Sequence, residues 1–384
     1  MTKRKICVIT GSRAEFGILS NLLKEIKKSR FLELQIVVTG SHLSSDYGET
    51  KQEILEDFKI NKEVEILLSS DTRIGVAKSM GLAIISLSEV FKELNPDIVL
   101  LLGDRFEIHA AATSSLIMGI PIAHIHGGEL TQGSWDESLR HSITKLSNLH
   151  FTATESYRKR IIQMGENPNF VFNVGSLGVE SIKKIKLISK KKLEENLNFS
   201  LTRNTIVVTV HSETNELGLE SGIITNLLKA IDFIPELRVI FTLSNADVGG
   251  RKINKEILNF VSLNKLRAIA FESLGKAKYF SLLSYIGGVV GNSSSGIIEA
   301  PSFGIKTLNI GNRQSGRIRA SSVSDCNREL ESIKKELKKF VDKIFSLEDV
   351  QNPFEKKNTA NKIIKVLIEI DLKELLSKSF YDLL

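Results

Sequence analysis

Short apolar segments that end in glycine-rich turns recur along this chain and alternate with longer amphipathic segments. Residues 6–10, 97–102 and 205–210 are examples of the short type, and residues 74–94 form the longest amphipathic one. Strands buried on both faces are continuous apolar runs, and strands that alternate with helices form parallel sheets. The pattern therefore predicts an α/β fold with parallel sheets covered by helices on both faces.

The alternation runs through the chain twice, with a glycine-rich break at residues 175–178. It predicts two Rossmann-like, doubly wound domains that face each other across a cleft. We expect the first to cover residues 1–178 and the second residues 179–361, which opens with a lysine-rich helix over 182–197. A C-terminal helix over about 362–384 is expected to pack back on the first domain. Ligands of such sheets bind outside the carboxyl ends of the strands.

The net charge of +7 over 384 residues raises the question of nucleic acid binding. The densest lysine runs lie in helix-like segments with glutamates nearby and without interleaved aromatic residues, which is typical of solvated helix faces. No run approaches the roughly 18 consecutive apolar residues of a membrane span. Two cysteines, Cys7 and Cys326, are too few for a disulfide framework or a metal cage. We therefore expect a cytoplasmic protein that binds neither nucleic acid nor membrane.

One cluster, Gly291-Asn-Ser-Ser-Ser-Gly296, joins a strand to a helix in the second half. Backbone N–H groups and the hydroxyls of Ser293 and Ser294 suit an anion there, although the run is not a Walker A loop because no lysine follows the glycine. A plain serine helix cap is the alternative. Arg313 follows the next strand and favours phosphate, and Glu299 is placed to accept hydrogen bonds from a ribose.

Two further turns carry an arginine after a strand of the first half. In Thr10-Gly-Ser-Arg13, the guanidinium suits a diphosphate or an ion pair with Glu15. In Gly103-Asp104-Arg105, the aspartate can be a helix cap, an ion-pair partner or a catalytic carboxylate.

Histidines and carboxylates concentrate after the strand at residues 121–125. His126 and Glu129 follow this strand, and Asp136 begins the next helix. Metal binding is one possibility, but the ligand spacings of known metal sites are missing, and proton transfer is the better interpretation. His124 lies inside the apolar strand and is interpreted as a core residue. His211, at the end of the first strand of the second half, is a further candidate.

In this order, the clusters resemble those of the UDP-N-acetylglucosamine 2-epimerases, which have a glycosyltransferase-B-like fold. The resemblance runs from Thr10 to about Arg319. The hydrolysing branch, which feeds sialic and related nonulosonic acid synthesis, is indicated by Gly103-Asp-Arg, His126-Gly-Gly-Glu129 and Asp136-Glu-Ser-Leu-Arg-His141-Ser together.

The resemblance implies a chemistry. The C2 proton of a nucleoside-diphosphate 2-acetamido sugar is removed and the diphosphate leaves C1, which gives a 2-acetamidoglucal. Water then adds with inversion at C2, and a free manno-configured sugar is released. The substrate is either UDP-N-acetylglucosamine or UDP- or GDP-linked N,N′-diacetylbacillosamine.

The resemblance also implies site residues. Asp104 and Asp136 match carboxylates of proton transfer, and Glu129 is retained, whereas His126 stands where some hydrolysing members have a glutamate. His126 is thus either a substitute acid–base group or a binding residue. The remaining matches lie at the nucleotide, with His211 near the diphosphate and Arg105 and Asn245 as plausible additions. The nucleotide residues implied directly are Arg13, Ser293, Ser294, Glu299 and Arg313.

No cofactor and no catalytic metal are implied by the family, and a homo-oligomer, dimer or tetramer, is expected by analogy. A glycosyltransferase of the same fold and a non-catalytic nucleotide-sugar sensor are the alternative functions.

Overall fold

A computed structural model of the protein describes most of the chain. The described residues are 3–45, 50–68, 72–131, 134–211, 222–244, 250–341 and 350–383.

The strands follow the predicted alternation closely. They are β1 (Arg4–Thr10), β2 (Leu32–Thr39), β3 (Lys62–Val64), β4 (Ile98–Leu102), β5 (Ile122–Ile125), β6 (Leu149–Thr152), β7 (Val171–Asn173), β8 (Thr205–Thr209), β9 (Arg238–Thr242), β10 (Ala268–Phe271), β11 (Gly288–Gly291), β12 (Lys306–Ile310) and β13 (Val323–Cys326).

The helices fill the segments between these strands. They are α1 (Arg13–Lys28), α2 (Lys51–Leu55), α3 (Arg73–Leu94), α4 (Phe106–Ile117), α5 (Asp136–Leu146), α6 (Glu155–Gln163), α7 (Leu177–Ile182), α8 (Lys190–Leu197), α9 (Gly222–Asp232), α10 (Gly250–Leu263), α11 (Gly275–Leu283), α12 (Ser294–Ile298), α13 (Leu330–Val341), α14 (Thr359–Glu369) and α15 (Leu372–Leu376).

The first compact unit is built on a seven-stranded sheet with the order β3-β2-β1-β4-β5-β6-β7. All of its strand pairs are parallel. Apolar clusters cover both faces, with the strand residues Ile6 and Val8 in one cluster and Cys7 and Ile9 in the other. The strand order reverses between β1 and β4, so the carboxyl ends of these two strands form a topological switch point, where ligands bind in folds of this type.

The second unit is built on a six-stranded parallel sheet with the order β10-β9-β8-β11-β12-β13. This is the strand order of a dinucleotide-binding fold, and its switch point lies between β8 and β11. The predicted class, two doubly wound parallel-sheet domains, is therefore confirmed. The edge strands β3 and β13 are additions that the sequence did not indicate, because they have only three and four residues and are half-buried.

The units are not continuous in sequence. The first consists of residues 1–129, 136–181 and 354–384, and the second of residues 130–135 and 182–353. The sequence predicts that the chain returns to the first domain after residue 361. The structure returns earlier because Phe354 is fully buried beside the ring of Tyr157, at 6.2 Å between centroids. Residues 130–135 join the second unit, where Arg317 Nε donates to the Leu130 carbonyl at 3.0 Å.

The prediction of a single helix over residues 182–197 is wrong. The segment is split between α7 and α8, and residues 183–189 between them are not helical. The backbone of Ile188 instead bonds to α11 and to the turn after it, since its N–H donates to Ser281 Oγ at 2.8 Å and its carbonyl accepts from Tyr285 Oη at 3.1 Å. These bonds compete with helix formation.

Among the described helices, α3 is long and apolar enough to cross a membrane by length and composition, but only a third of its most apolar stretch is buried. Its buried residues recur mainly every four positions, from Gly75 to Phe91, and pack on the core beside α4. The opposite face retains exposed apolar side chains, of which Ile85 is 64% accessible.

Candidate active site

Asp104 lies in the turn between β4 and α4, at the switch point of the first sheet. Gly103 makes this turn with a φ of +83°, a left-handed conformation that glycine adopts without strain. The Gly103 carbonyl accepts a hydrogen bond from His124 Nε2 at 2.8 Å. The Asp104 carboxylate keeps about a fifth of its surface accessible. It is thus held in place from beneath and still reaches solvent.

Arg140 on α5 connects two of the predicted site residues. It is almost fully buried, forms an ion pair with the Asp104 carboxylate and donates to the Glu129 carbonyl at 3.0 Å. The sequence analysis did not single out Arg140. Its spacing gave a signal, because residues four apart on a helix share a face, and Asp136 begins α5 four positions earlier.

His126 and Glu129 form a second acid–base pair. His126 Nδ1 lies 2.9 Å from Glu129 Oε1, and both side chains are buried. His126 has a φ of +65°, which is uncommon for a residue with a side chain and carries strain. Its Nε2 has no hydrogen-bond partner among the described residues. The imidazole is therefore fixed through Nδ1, whereas Nε2 is buried at the opposite side of the ring.

His124 is a core residue, as expected. It is fully buried, its Nδ1 lies 3.3 Å from Thr144 Oγ1, and burial lowers the pKa of the imidazole to about 3. A neutral ring of this kind supports the Gly103 turn and does not act in proton transfer near neutral pH. Asp136 is half-buried at the start of α5.

Arg105 turns inward beside a pair of buried carboxylates. Its Nε donates to Glu107 Oε1 at 2.6 Å and lies 3.8 Å from Glu15 Oε1. Burial is the main cause that raises the pKa of Glu15 to about 8. The Glu107 carboxylate adds to this rise, and Arg105 opposes it.

Arg13 begins α1, with Ser12 as the N-cap. The sequence left open an ion pair between Arg13 and Glu15, but the structure pairs Arg13 with Glu53 instead, at 2.5 Å. Glu15 is turned inward, where its Oε2 accepts from the Gly11 N–H at 2.7 Å. About a third of the Arg13 side chain is accessible.

In the second unit, Asn292 brings together two predicted residues. Its side-chain amide accepts from the His211 N–H at 2.7 Å and donates to the His211 carbonyl at 2.8 Å. Its own carbonyl accepts from Arg313 at 3.2 Å and from the buried Gln314 at 2.9 Å. Sequence reasoning missed Asn292 and Gln314 because their role is to bond to the backbone. Asn292 nevertheless fixes His211 and Arg313 at one switch point.

The serine-rich turn lies at the same place. Ser293 caps α12 and accepts from the Ser295 N–H at 3.4 Å, so the cap interpretation describes one of its bonds. Ser294 is half-buried at the helix start, and Glu299 is buried at the helix end. Gly291 is required here, because a Cβ would lie 1.9 Å from the Thr209 carbonyl. Asn245 lies outside the described residues.

No group of three histidine, cysteine, aspartate or glutamate side chains is placed to hold a metal ion in the part of the chain that the structure describes. Both cysteines are unbridged. Burial raises the pKa of Cys326 to about 12 and that of Cys7 further still.

The two sheets thus carry different chemistry at their switch points. The first has carboxylates and imidazoles linked by Arg140, and the second has hydroxyls, a histidine and an arginine gathered around Asn292. An α/β fold of this kind, with candidate acid–base residues in one unit and candidate anion-binding residues in the other, is the class of structure in which enzymes are common.

Comparisons with known proteins agree with this class. The family model described as UDP-N-acetylglucosamine 2-epimerase matches residues 24–368. A GDP/UDP-N,N′-diacetylbacillosamine 2-epimerase (hydrolyzing) from Campylobacter jejuni is 42% identical over the full length of both chains. The polysialic acid biosynthesis protein P7 from Escherichia coli is 39% identical over 99% of this chain and 98% of its own.

The fold has solved relatives as well. The Neisseria meningitidis UDP-GlcNAc 2-epimerase bound to UDP-GlcNAc superposes with a TM-score of 0.81, covering 95% of this chain and all of its own, at 20% identity. The chain belongs to the UDP-N-acetylglucosamine 2-epimerase family.

Proposed function

We propose that this protein is a hydrolysing 2-epimerase of a nucleoside-diphosphate 2-acetamido sugar. The observation that carries the proposal is the 42% identity, without terminal gaps in coverage, to a hydrolysing enzyme of this family. The Arg140 ion pair supports it independently. An adjacent guanidinium favours the ionised form of a carboxyl group, and a carboxylate is the form that a general base needs.

The residues divide the reaction between them. Asp104 and Asp136 are proposed to move the protons at C2, with the His126–Glu129 pair as acid–base or sugar-binding groups. In the first step the C2–H bond breaks, the C1–C2 double bond forms and the C1–O bond to the diphosphate breaks. In the second, water supplies a hydroxyl to C1 and a proton to C2 from the other face. A C2 proton beside an acetamide is a very weak acid, so a placed base and an anionic leaving group are both needed.

The nucleotide is proposed to bind through the second unit and the first turn. Arg313, Ser293, Ser294 and His211 would contact the diphosphate, since charge-assisted bonds stabilise the leaving anion. Glu299 would accept from the ribose, and Arg13, Arg105 and Asn245 are proposed as further contacts.

For the substrate, we propose UDP- or GDP-linked N,N′-diacetylbacillosamine, because this is the substrate in the name of the Campylobacter jejuni relative. The released sugar would be 2,4-diacetamido-2,4,6-trideoxymannose, a precursor of legionaminic acid. UDP-N-acetylglucosamine, giving N-acetylmannosamine for sialic acid, is the alternative.

A panel of UDP- and GDP-linked 2-acetamido sugars in D2O tests function and substrate together. We expect release of the nucleoside diphosphate and a free manno-configured product with solvent deuterium at C2, identified by NMR. Transfer to an acceptor without C2 deuterium would indicate a glycosyltransferase, and binding without diphosphate release would indicate a sensor. The relative kcat/KM values decide between the two sugars.

We also propose that the protein is a cytoplasmic homo-oligomer. Apolar side chains are exposed on the adjacent helices α3 and α4, where Ile85 is 64% and Ile117 is 81% accessible, and a second copy is proposed to cover them. Light scattering should give a dimer or tetramer that Ile85→Glu with Ile117→Glu converts to a monomer. Leu263→Glu, at an equally exposed position on α10, is the matched control and should leave the mass unchanged.

A further inference from the structure

Two carboxylates beneath the switch point of the first sheet take no part in the mechanism above. Glu107 on α4 is fully buried, and Glu15 on α1 is nearly so. Arg105 Nε is 2.6 Å from the first and 3.8 Å from the second, so both face one guanidinium. Burying like charges without a cation for each is costly. The cost in stability suggests that the two carboxylates are retained for a function.

The chain makes room for Glu107 at two glycines. A Cβ on Gly11, in the turn after β1, would lie 2.4 Å from Glu107 Oε1, and one on Gly40, in the turn after β2, would lie 3.3 Å from it. Gly40 also has a φ of +59°, which favours glycine. The Glu107 carboxylate therefore lies directly against the turns after β1 and β2, and through Arg105 it is bonded to the turn after β4.

Glu15 holds the first of these turns from the other side, since its Oε2 accepts from the Gly11 N–H at 2.7 Å. The remaining oxygens, Glu15 Oε1 and Glu107 Oε2, accept no hydrogen bond from the described residues. A single proton held by the pair would occupy one of these oxygens and remove the repulsion between the carboxylates.

We propose that Glu107 is a positioning residue for the reaction: through Arg105 it holds the turn that carries Asp104, while a proton on Glu15 keeps the two carboxylates from repelling each other. This inference rests on the proposed function, in which Asp104 moves a C2 proton. Arg105 immediately follows Asp104, so a shift of the guanidinium moves the backbone of the catalytic turn.

The surroundings determine which group titrates. The raised pKa of Glu15, about 8, keeps this side chain protonated at neutral pH. His42, on the 3-10 turn Gly40–Leu43, faces the same region, and burial lowers its pKa to about 4, so it stays neutral. Arg105 stays charged at all working pH values. Above about pH 8, ionisation of Glu15 places a charge beside the Glu107 carboxyl group and competes for Arg105.

The test compares three isosteric variants by steady-state kinetics, UDP affinity and circular dichroism. Glu107→Gln should lower kcat at least tenfold, a larger change than in KM or in UDP affinity, where only the one proposed nucleotide contact of Arg105 is disturbed. Glu15→Gln, which mimics the protonated form, should retain most of kcat at pH 7 and lose the alkaline decline of the pH profile. Glu180→Gln is the matched control. Glu180 is a buried carboxylate on α7 that accepts from the Ala360 N–H, and its replacement should leave kcat unchanged.

A folded Glu107→Gln enzyme with kcat near that of the wild type overturns the inference. If Glu107→Gln does not fold, the Glu15→Gln profile decides, and an unchanged alkaline limb overturns it as well. Failure of the proposed function is a separate result, because the wild-type enzyme would then release no manno-configured product from any nucleotide sugar.

Discussion

Buried carboxylates have different partners at the two ends of the strands in the first sheet, which are its amino edge and its carboxyl edge. At the amino edge, where α5 and α6 lead into β6 and β7, Glu166 contacts Lys145 at 2.5 Å, Lys378 at 2.8 Å and His150 at 3.0 Å. At the carboxyl edge, Glu15 and Glu107 share the guanidinium of Arg105. Among the described residues, the one carboxylate of Glu166 is paired with two lysines, whereas Glu15 and Glu107 share one arginine.

The pKa values follow the number of partners. The bonds from His150, Lys145 and Lys378 outweigh burial and lower the pKa of Glu166 to about 2, whereas burial and a like charge raise that of Glu15 to about 8. Strain and charge imbalance are typical of functional sites. The comparison teaches that one sheet can surround a buried carboxylate with cations at its amino edge and leave buried carboxylates with few cations at its carboxyl edge, where the proposed site lies.

The largest expected effect is at the carboxyl edge. Asp104→Asn should lower kcat by about a thousandfold or more, because removal of a general base and its charge eliminates the proton transfer. The UDP affinity should stay close to that of the wild type, whereas the melting temperature should fall because the buried Arg140 loses its carboxylate partner. Turnover near the wild-type rate would remove Asp104 from the mechanism.

Glu166→Gln should lower the stability and, unlike Asp104→Asn, leave kcat of the folded enzyme unchanged. The pKa of Glu166 falls from 4.5 to about 2 on folding, so its stabilisation is present above pH 4.5 and is lost as the pH falls towards 2. The free energy of unfolding at pH 7 should decrease by about 3 kcal/mol. The difference from the wild type should shrink below pH 4, as measured by urea unfolding.

Glu15→Gln tests the comparison through the direction in which the free energy of unfolding changes with pH. A pKa raised from 4.5 to about 8 stabilises the fold at low pH, and this contribution is lost as the pH rises through that interval. The wild type should lose up to about 1.4 kcal/mol per pH unit between pH 6 and 7.5 from this group. The variant should lack that slope. Parallel stability curves for the two proteins would contradict the assignment.

The smallest effect is expected at Lys378, whose Nζ donates to the carbonyls of Lys145 and Ser147 at the end of α5 as well as to Glu166. Lys378→Met should lower the free energy of unfolding by about 1 kcal/mol, since Glu166 keeps Lys145 and His150 as partners. Thermal unfolding and kcat measured on the same sample would show whether the C-terminal tail stabilises α5 alone or also affects catalysis.

Most of the architecture could be predicted from the sequence. The continuous apolar runs predicted β1, β4, β5 and β8 within two residues of their bounds. The failures were local. Residues 183–189 have the composition of a helix but bond elsewhere, and β3 and β13 are too short to produce a pattern.

The candidate site was predictable only in part. Asp104, His126 and Arg313 follow strand ends in the sequence, so their placement at the carboxyl ends of the two sheets could be expected. Arg140 could be noticed only from its spacing from Asp136, because its partner Asp104 lies 36 positions away. Asn292 gave no such signal, because it bonds to the backbone of a residue 81 positions away.

By itself the sequence determined the α/β class, the two parallel sheets and the family, because hydrophobic periodicity and turn chemistry are local properties. The tertiary structure decided which charges meet. Glu15 and Glu166 are the same residue type with the same intrinsic acidity. The number of cations that folding brings to each carboxyl group, together with its burial, decides that Glu15 holds a proton at neutral pH and that Glu166 is ionised.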